Sequence, residues 1–311
     1  WVTVKVPDDA APGSYEGTIN LKISGQVIGE IALNLEVPDI TFSDDSFIRS
    51  IYYTSKLKTV DYIVPNYKNT TQFTAELTDL FNHGVNNPTL YNQEDNSTLS
   101  TALTIRNAAG MGNQPLYYVG LNIGTYGDNL NELKEAVTDL INYVTPFGVT
   151  QLYIYGLDEQ NMNNELNRAQ IAAVHEVGGK VFCAQDEEEA TAIADVLDLA
   201  IVYSPKITNK DLAELYHDPE GKYDNESHKI AMYASPQAGQ QRPETYRRNY
   251  GILTWLSGYD GVQTWEYGGK NLDAYYYPTY NFTYPTVNGV IDSVQWEGFR
   301  EAMDDVRYAA T

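Results

Sequence analysis

From about Ser46 onward, apolar strand candidates and amphipathic helix candidates alternate to the end of the chain, and this rhythm constrains the fold more than any other property. The strand candidates are Phe47–Tyr53, Pro88–Asn92, Leu116–Asn122, Gln151–Leu157, Lys180–Ala184, Leu197–Tyr203, Lys229–Tyr233 and Gly261–Tyr267. Between them, apolar residues recur at three- and four-residue spacing over Thr71–His83, Asn129–Tyr143, Asn164–Val177, Glu187–Val196, Asp211–Tyr216 and Pro243–Leu256. Thr98–Ala109 is the weakest helical stretch, and Ser293–Ala310 is a last helix. Gly84, Gly110, Gly148, Gly178 and Gly258 mark helix ends, where glycine accepts the left-handed cap conformation without steric cost. Eight strands alternating with eight helices is the count of a (β/α)8 TIM barrel. A doubly wound open sheet also alternates, but it typically has fewer repeats and a glycine-rich first turn. The turn after the first strand here, Thr54-Ser55-Lys56-Leu57-Lys58, has no glycine. The expectation is an α/β chain with a (β/α)8 barrel over residues 41–311.

Residues 1–40 follow a different period. Trp1–Pro7, Tyr15–Ile23 and Ile28–Val37 each alternate apolar with polar, separated by an Ala11-Pro12-Gly13 turn and a hairpin centred on Gly25. Such alternation predicts antiparallel strands with one wet face. Three strands are too few for two packed sheets. They are expected to be the C-terminal strands of a β-sandwich whose beginning lies outside this chain, which opens at Trp1 without a methionine. A secretory signal would then be missing from view, and an extracellular or cell-envelope location is expected.

Composition narrows the function classes. A net charge of −22 opposes binding to nucleic acid or to an anionic membrane surface, both of which need positive charge. No run approaches the length of a membrane span. The single cysteine, Cys183, allows no intramolecular disulfide, and it sits in the apolar run Lys180–Ala184 as a core thiol would. The 26 tyrosines tilt the chain toward carbohydrate, since flat rings with a polar tip stack on sugar C–H faces.

The fourth strand candidate runs Tyr153-Ile154-Tyr155-Gly156-Leu157 into two adjacent acids, Asp158 and Glu159. In a barrel this is the C-terminal face, where active sites of the fold are built. Paired carboxylates there are the equipment for cutting a glycosidic bond. The strand ends supply further candidates: Tyr53, Asn92, Asn122, Gln185, Tyr203, Ser204, Tyr233, Ser235, Trp265, Glu266 and Tyr267. Hydroxyls, amides and aromatic rings dominate this rim, and Tyr53, Asn92, Asn122, Tyr203, Tyr233, Trp265, Glu266 and Tyr267 are expected to bind a carbohydrate substrate.

No metal ligand set and no cofactor are expected. His83, His175 and His217 fall within or at the ends of helices, and His228 precedes its strand, so no imidazole reaches the rim. No glycine-rich loop with lysine follows any strand, which argues against a phosphate site.

Two glycosidase mechanisms fit these acids. In one, Glu159 is the general acid and Glu266, from the eighth strand, is the nucleophile, because the seventh strand ends Tyr233-Ala234-Ser235-Pro236 with no acid. In the other, the substrate's own 2-acetamido oxygen attacks the anomeric carbon. Glu159 then protonates the leaving oxygen while Asp158 orients the acetamido nitrogen. Adjacent acids suit the second scheme, one reaching the leaving oxygen and the other the neighbouring substituent. A non-catalytic carbohydrate-binding protein on the same fold is the competing class.

The motif Tyr155-Gly156-Leu157-Asp158-Glu159, the closing segment Trp296-Glu297-Gly298-Phe299-Arg300-Glu301-Ala302-Met303-Asp304-Asp305-Val306-Arg307-Tyr308 and the opening segment Val6–Gly17 together resemble glycoside hydrolase family 123 and its broad uncharacterised relatives. The resemblance spans nearly the whole chain. It implies a β-sandwich preceding a (β/α)8 barrel and a retaining, substrate-assisted β-N-acetylgalactosaminidase. Glu159 would be the acid/base and Asp158 the acetamido-stabilising residue. Family members commonly place proline after the acid pair, whereas Gln160 stands here.

The remaining candidates carry two readings each. Trp265 either floors a sugar subsite or packs the barrel top. Glu266 either touches sugar or pairs with one of Arg242, Arg247 and Arg248, arginines that could instead grip an acidic glycan. Asp304 and Asp305 lie far along the last helix, where a structural role is expected. Tyr275–Tyr280 is expected to form an aromatic wall beside the site.

Overall fold

The computed structural model describes residues 2–7, 9–42, 46–58, 66–203, 209–218, 221, 228–239, 241–268 and 280–311. The chain divides into two compact units, Trp1–Asp44 with Ala310–Thr311, and Asp45–Ala309.

In the first unit, β1 (Gly13–Ile23) pairs antiparallel with β2 (Gln26–Val37). The two-residue turn between them, Ser24-Gly25, has positive φ at both positions (50° and 83°), as a tight hairpin requires. The register opposes Tyr15 to Leu35 and Ile19 to Ile31. Tyr15, Ile19, Leu21, Ile31, Leu33 and Leu35 therefore share one face, while Glu16, Thr18, Asn20, Glu30, Asn34 and Glu36 take the other. Residues 2–7 form no strand, although the sequence pattern predicts one. Alternation says which face a residue would take, but a strand also needs a partner ladder, and none is offered to these residues among those described. Among the described residues this unit holds a two-stranded hairpin.

The second unit is built on a curled parallel sheet. After β3 (Ile48–Ile51), the two-residue strands β4 (Lys56–Leu57) and β5 (Tyr67–Lys68) form a small parallel pair of their own. The main sheet continues with β6 (Leu116–Asn122), β7 (Leu152–Tyr155), β8 (Lys180–Asp186), β9 (Leu199–Tyr203), β10 (Lys229–Tyr233) and β11 (Gly261–Thr264). These seven strands run in the order β3-β11-β10-β9-β8-β7-β6, all parallel.

The second strand candidate, Pro88–Asn92, is reduced to one bridge, Leu90 with Tyr118. Its backbone nevertheless bonds to both edges of the sheet. Asn86 and Thr89 donate to Arg49 and Ile51 of β3, each at 3.0 Å. On the other side Leu90 donates to Tyr117 at 2.8 Å and accepts from Val119 at 2.9 Å. Residues 86–90 thus span the gap between β3 and β6, which shuts the sheet into a ring.

The helices are α1 (Thr70–Asn82), α2 (Asn96–Arg106), α3 (Leu130–Val144), α4 (Glu165–Glu176), α5 (Glu187–Ala192), α6 (Lys210–His217), α7 (Pro243–Arg248), α8 (Thr254–Leu256) and α9 (Val294–Ala309). A short antiparallel pair, β12 (Thr283–Pro285) with β13 (Val290–Asp292), precedes α9. The weakly patterned α2 is held by its start: the Asp95 carboxylate accepts from Thr98 N at 2.8 Å, and Thr98 Oγ1 accepts from Asp95 N. Such a box stabilises a first turn that apolar spacing does not advertise.

The predicted single helix Pro243–Leu256 is broken at Gly251, where φ −94° and ψ −111° leave helical space. A Cβ at Gly251 would lie 3.1 Å from the Ala302 backbone of α9. The tighter crossing is at Gly298 of α9, where a Cβ would fall 2.3 Å from Pro243 O. Beside it, Arg247 grips Asp305 through two nitrogens at 2.7 and 2.8 Å and reaches Glu301 at 2.6 Å.

Two matching clasps tie the strand starts to the helices. Asp198, just before β9, accepts from Val181 N of β8 at 2.8 Å and from His175 of α4 at 2.7 Å. Asp260, just before β11, accepts from Ile230 N of β10 at 2.9 Å and bonds His217 of α6 at 3.1 Å. The hydrogen bond to Asp260 raises the His217 pKa, against a smaller lowering by burial.

Two predictions follow from this framework. Gly298→Ala should destabilise the protein by about 2–3 kcal/mol through backbone overpacking, read as a lower denaturant midpoint. His217→Ala should cost about 0.5–1 kcal/mol, a small value because the pair is partly exposed and screened. The charged His217 is the stabilised form, so the loss is full below the unfolded value of about 6.5 and vanishes as pH rises through the higher folded value. Urea melts from about pH 5.5 to 8.5 should show parent and variant converging at the alkaline end.

Candidate active site

The turn after β7 is fastened before its acids are reached. Gly156 N donates to Phe182 O at 2.8 Å, and Glu159 N donates to Ala184 O at 3.0 Å, so two backbone bonds bind the turn to β8. Asn122 Nδ2 holds Gly156 O at 2.7 Å from the other neighbour, β6. A Cβ at Gly156 would lie 3.0 Å from Met162 and 3.1 Å from Cys183, which is why glycine stands there. The Cys183 thiol is fully buried, and burial pushes its pKa up to about 12. Glu159 takes the left-handed conformation at φ 49°. Both Asp158 and Glu159 emerge exposed.

Asp158 is oriented by a line of tyrosines. Tyr155, the last residue of β7, donates its hydroxyl to Asp158 Oδ1 at 2.5 Å. A phenol has one proton, so the 3.2 Å bond between Tyr155 and Tyr52 hydroxyls must be donated by Tyr52. Ala184 N also donates to the Tyr155 hydroxyl, at 3.4 Å. Burial raises the Tyr155 pKa most, followed by the Asp158 charge; burial and Tyr155 do the same to Tyr52. Both rings therefore stay protonated donors through the neutral and mildly alkaline range.

Glu159 faces a cavity of about 390 Å³, lined by Glu159, Gln185, Asp186, Tyr203, Tyr233, Ala234 and Gln237. Tyr233 ends β10 with its ring 6.1 Å from Tyr52, and its pKa is raised by burial first and then by the Glu159 and Asp158 charges. Glu159 and Gln237 line the same cavity beside it. The next residue, Ala234, is left-handed at φ 50°. The segment is pinned from behind: Ser235 N donates to the Tyr250 hydroxyl at 3.0 Å, Asn249 Nδ2 to Ser235 O at 2.9 Å, and Tyr246 hydroxyl to Gln237 O at 2.6 Å. Two non-glycine residues in strained backbone thus border one cavity, from the turns after β7 and β10. Strain of this kind persists where surrounding bonds over-determine it, and it clusters at functional sites.

The rim candidates divide into two groups. Tyr203 and Tyr233 line the cavity. Trp265 is half-buried with its ring 5.5 Å from Tyr52. Glu266 is 3% exposed, with one carboxylate oxygen taken by Thr54 Oγ1 at 2.9 Å. Tyr91 adds to this side: burial raises its pKa, and the charges of Glu266 and Asp158 raise it further.

The other group lies elsewhere. Tyr53 is buried against α1, donating to Glu76 Oε2 at 2.7 Å, and that carboxylate also pairs with Lys68 at 2.9 Å. Tyr267 is buried and donates to Asp79 of α1 at 2.8 Å. Asn122 braces the acid turn from behind. Asn92 is exposed, and its neighbour Tyr91 senses the acids instead. Arg247 is committed to α9, away from Glu266. Ser204 and Tyr275–Thr279 lie outside the described residues.

Tyr52, Tyr91, Tyr155 and Gln237 were not among the sequence candidates. The available signal was parity: Tyr52 shares the strand face of buried, polar Ser50, whereas Tyr53 takes the opposite face.

No protein-family model matches the chain, and no curated protein matches it either. Among solved structures it is similar to a family 39 glycoside hydrolase from the gut symbiont Bacteroides cellulosilyticus WH2, at 10% identity over 94% of this chain and 71% of that one, with a TM-score of 0.52. A family 113 β-mannanase from Alicyclobacillus acidocaldarius (13% identity, 86% and 97% coverage) gives a TM-score of 0.49. A broad-specificity family 5 endoglucanase from Clostridium longisporum (11% identity, 75% and 86% coverage) also gives 0.49. At such identities the likeness to the family 39 enzyme is one of fold, an α/β chain on a curled parallel sheet.

Ala234→Gly should relieve the left-handed strain at this position and raise stability by about 1 kcal/mol, visible as a higher thermal midpoint.

Proposed function

We propose that this protein is a glycoside hydrolase whose catalytic carboxylates are Asp158 and Glu159, acting on a glycan that contains an N-acetylhexosamine. The observation that carries the proposal is the unequal treatment of the two acids. Asp158 is clamped by the Tyr52–Tyr155 hydroxyl line, while Glu159 lines the cavity with Tyr233 in the same wall. A fixed carboxylate suits a residue that orients a substituent and balances charge developing on it. An accessible one suits proton delivery to a leaving oxygen.

In this reading Glu159 protonates the glycosidic oxygen as the 2-acetamido oxygen attacks the anomeric carbon. Asp158 holds the acetamido N–H as the ring forms and stabilises the positive charge it acquires. Water then opens the intermediate, with Glu159 returning as base, and the configuration is retained. Tyr203, Tyr233 and Trp265 supply ring faces for sugar, and Tyr91 bridges the two sides of the rim. The family 39 enzyme named above is a glycoside hydrolase by name, which accords with this proposal. A family 123-like assignment, an extracellular setting and membership of the hairpin in a β-sandwich belong to the same proposal. The open apolar face of that hairpin supports the last of these, since such a face needs a second sheet.

Glu266 is the rival nucleophile, and its proximity to Tyr91 beside Asp158 is the observation in its favour. Against it, Glu266 is buried with an oxygen held by Thr54, whereas a nucleophile must present its oxygen to an anomeric carbon.

Aryl glycosides with and without a 2-acetamido group separate the schemes. We expect turnover of the acetamido sugars alone, a loss of about 10²–10⁴-fold in Glu159→Gln, and about 10²–10³-fold in Asp158→Asn. Glu266→Gln should be far milder. Equal hydrolysis of sugars lacking the acetamido group, together with collapse of activity in Glu266→Gln, would transfer the nucleophile's role to Glu266. Full activity in Glu159→Gln would remove the proposal, and binding without turnover across the panel would mark a carbohydrate-binding protein.

A further inference from the structure

A second cluster of chemistry-bearing side chains lies where α1, β13 and α9 meet. His83 caps the C-terminal end of α1, Asp292 ends β13, and Glu297 lies in the first turn of α9. One ligand atom from each of Asp79, His83 and Asp292 lies within 4.8 Å of the others. Three carboxylates therefore crowd one imidazole.

The imidazole is held for a purpose that its protein neighbours do not use. Its Nδ1 sits 2.9 Å from Asp79 O and 3.0 Å from Asp79 Oδ1, and its ring stacks on Trp296 with centroids 4.8 Å apart. The other Asp79 oxygen is fixed by the Tyr267 hydroxyl at 2.8 Å and by Trp296 Nε1 at 3.1 Å. With Nδ1 bound to a carboxylate, the free lone pair is on Nε2. The His83 side chain is 7% exposed, and Nε2 has no hydrogen-bond partner. It points at Glu297 Oε1, 3.8 Å away, and Asp292 Oδ2, 4.0 Å away. Those gaps are too long for hydrogen bonds.

We propose that His83, Asp292 and Glu297 bind a divalent transition cation of the zinc class, with Asp79 as the residue that orients His83. Zinc lies about 2.0–2.1 Å from imidazole nitrogen and about 2.0–2.2 Å from carboxylate oxygen, which puts two donors about 3.4 Å apart at a tetrahedral ion, so both carboxylates need to close on Nε2 by about half an ångström when the ion binds. A carboxylate bonded to the far nitrogen is the usual partner of a metal-ligating histidine, fixing its tautomer and ring plane. Mixed nitrogen and oxygen donors favour such an ion over calcium, which takes oxygen ligands throughout. Asp292 is 36% exposed and provides the entry path, while Arg300 pairs with Glu297 Oε2 at 3.0 Å and Glu297 Oε1 lies 3.8 Å from His83 Nε2. The bound ion would neutralise the crowded acids. It would also pin the closing helix to α1.

The test is Zn²⁺ binding to the full chain after chelator treatment, followed by calorimetry in excess Mg²⁺ to fill weak surface carboxylates. We expect one saturable equivalent and a thermal midpoint that rises with Zn²⁺. Affinity should fall at least about 10-fold in Asp292→Asn and in His83→Gln. Asp292 lies at the surface, so its variant carries the test should His83→Gln fail to fold. Co²⁺ in place of Zn²⁺ should give a visible absorption band in the parent that Asp292→Asn weakens. Absence of a saturable equivalent, or equal affinity in parent and Asp292→Asn, would overturn the site, and neither readout depends on catalysis.

Discussion

Leu90 bonds to β6 on one side while its neighbour Thr89 bonds to β3 on the other, and the ring rests on those few backbone hydrogen bonds. A parallel sheet left with two open edges would expose a row of unpaired donors and acceptors on each. Residues 86–90 remove both edges with a segment too short to count as a strand. Closure also brings the ends of β3 and β7 face to face across the mouth. The Tyr52 hydroxyl can then meet that of Tyr155, although the two residues lie on strands that never pair. Without the curl, Asp158 would lose the hydroxyl line that orients it.

The acid turn repeats this economy on a smaller scale. Glu159 and Ala234 both occupy left-handed backbone, at about 1 kcal/mol each. Hydrogen bonds from neighbouring elements offset that cost: two from β8 on one turn, and those involving Tyr250 and Asn249 on the other. The result is a pair of adjacent acids with different freedoms. Asp158 is bound to a buried phenol, and Glu159 is presented at a cavity whose wall is fixed from behind.

How much of this could be read in the sequence depended on whether local or tertiary forces decided each feature. Strand positions were legible because apolar runs are buried on both faces, and helix ends because Gly84, Gly148, Gly178 and Gly258 are left-handed caps. The acid pair was legible as the end of an apolar strand. Which of two adjacent tyrosines turns inward was not, since Tyr52 and Tyr53 are chemically alike and parity alone separates them. The break in the helix after Arg248 was hidden too, because it answers to Ala302, about fifty residues away. Residues 2–7 show the converse: the right alternation, yet no strand among the described residues.

Gly298 bears on how relatives of this chain would be recognised. It stands in the closing helix, inside the segment Trp296-Glu297-Gly298-Phe299-Arg300, where α7 passes so near that a methyl group would strike the Pro243 carbonyl. Trp296 and Phe299 beside it are wholly buried, and Arg300 is spent on Glu297 and Asp304. Trp296, Gly298 and Phe299 answer to how the closing helix packs and Arg300 to ion pairs within it, and none of the four to the rim. A chain sharing it would therefore be known as kin in architecture, whether it cut a sugar, merely held one, or had left carbohydrates altogether.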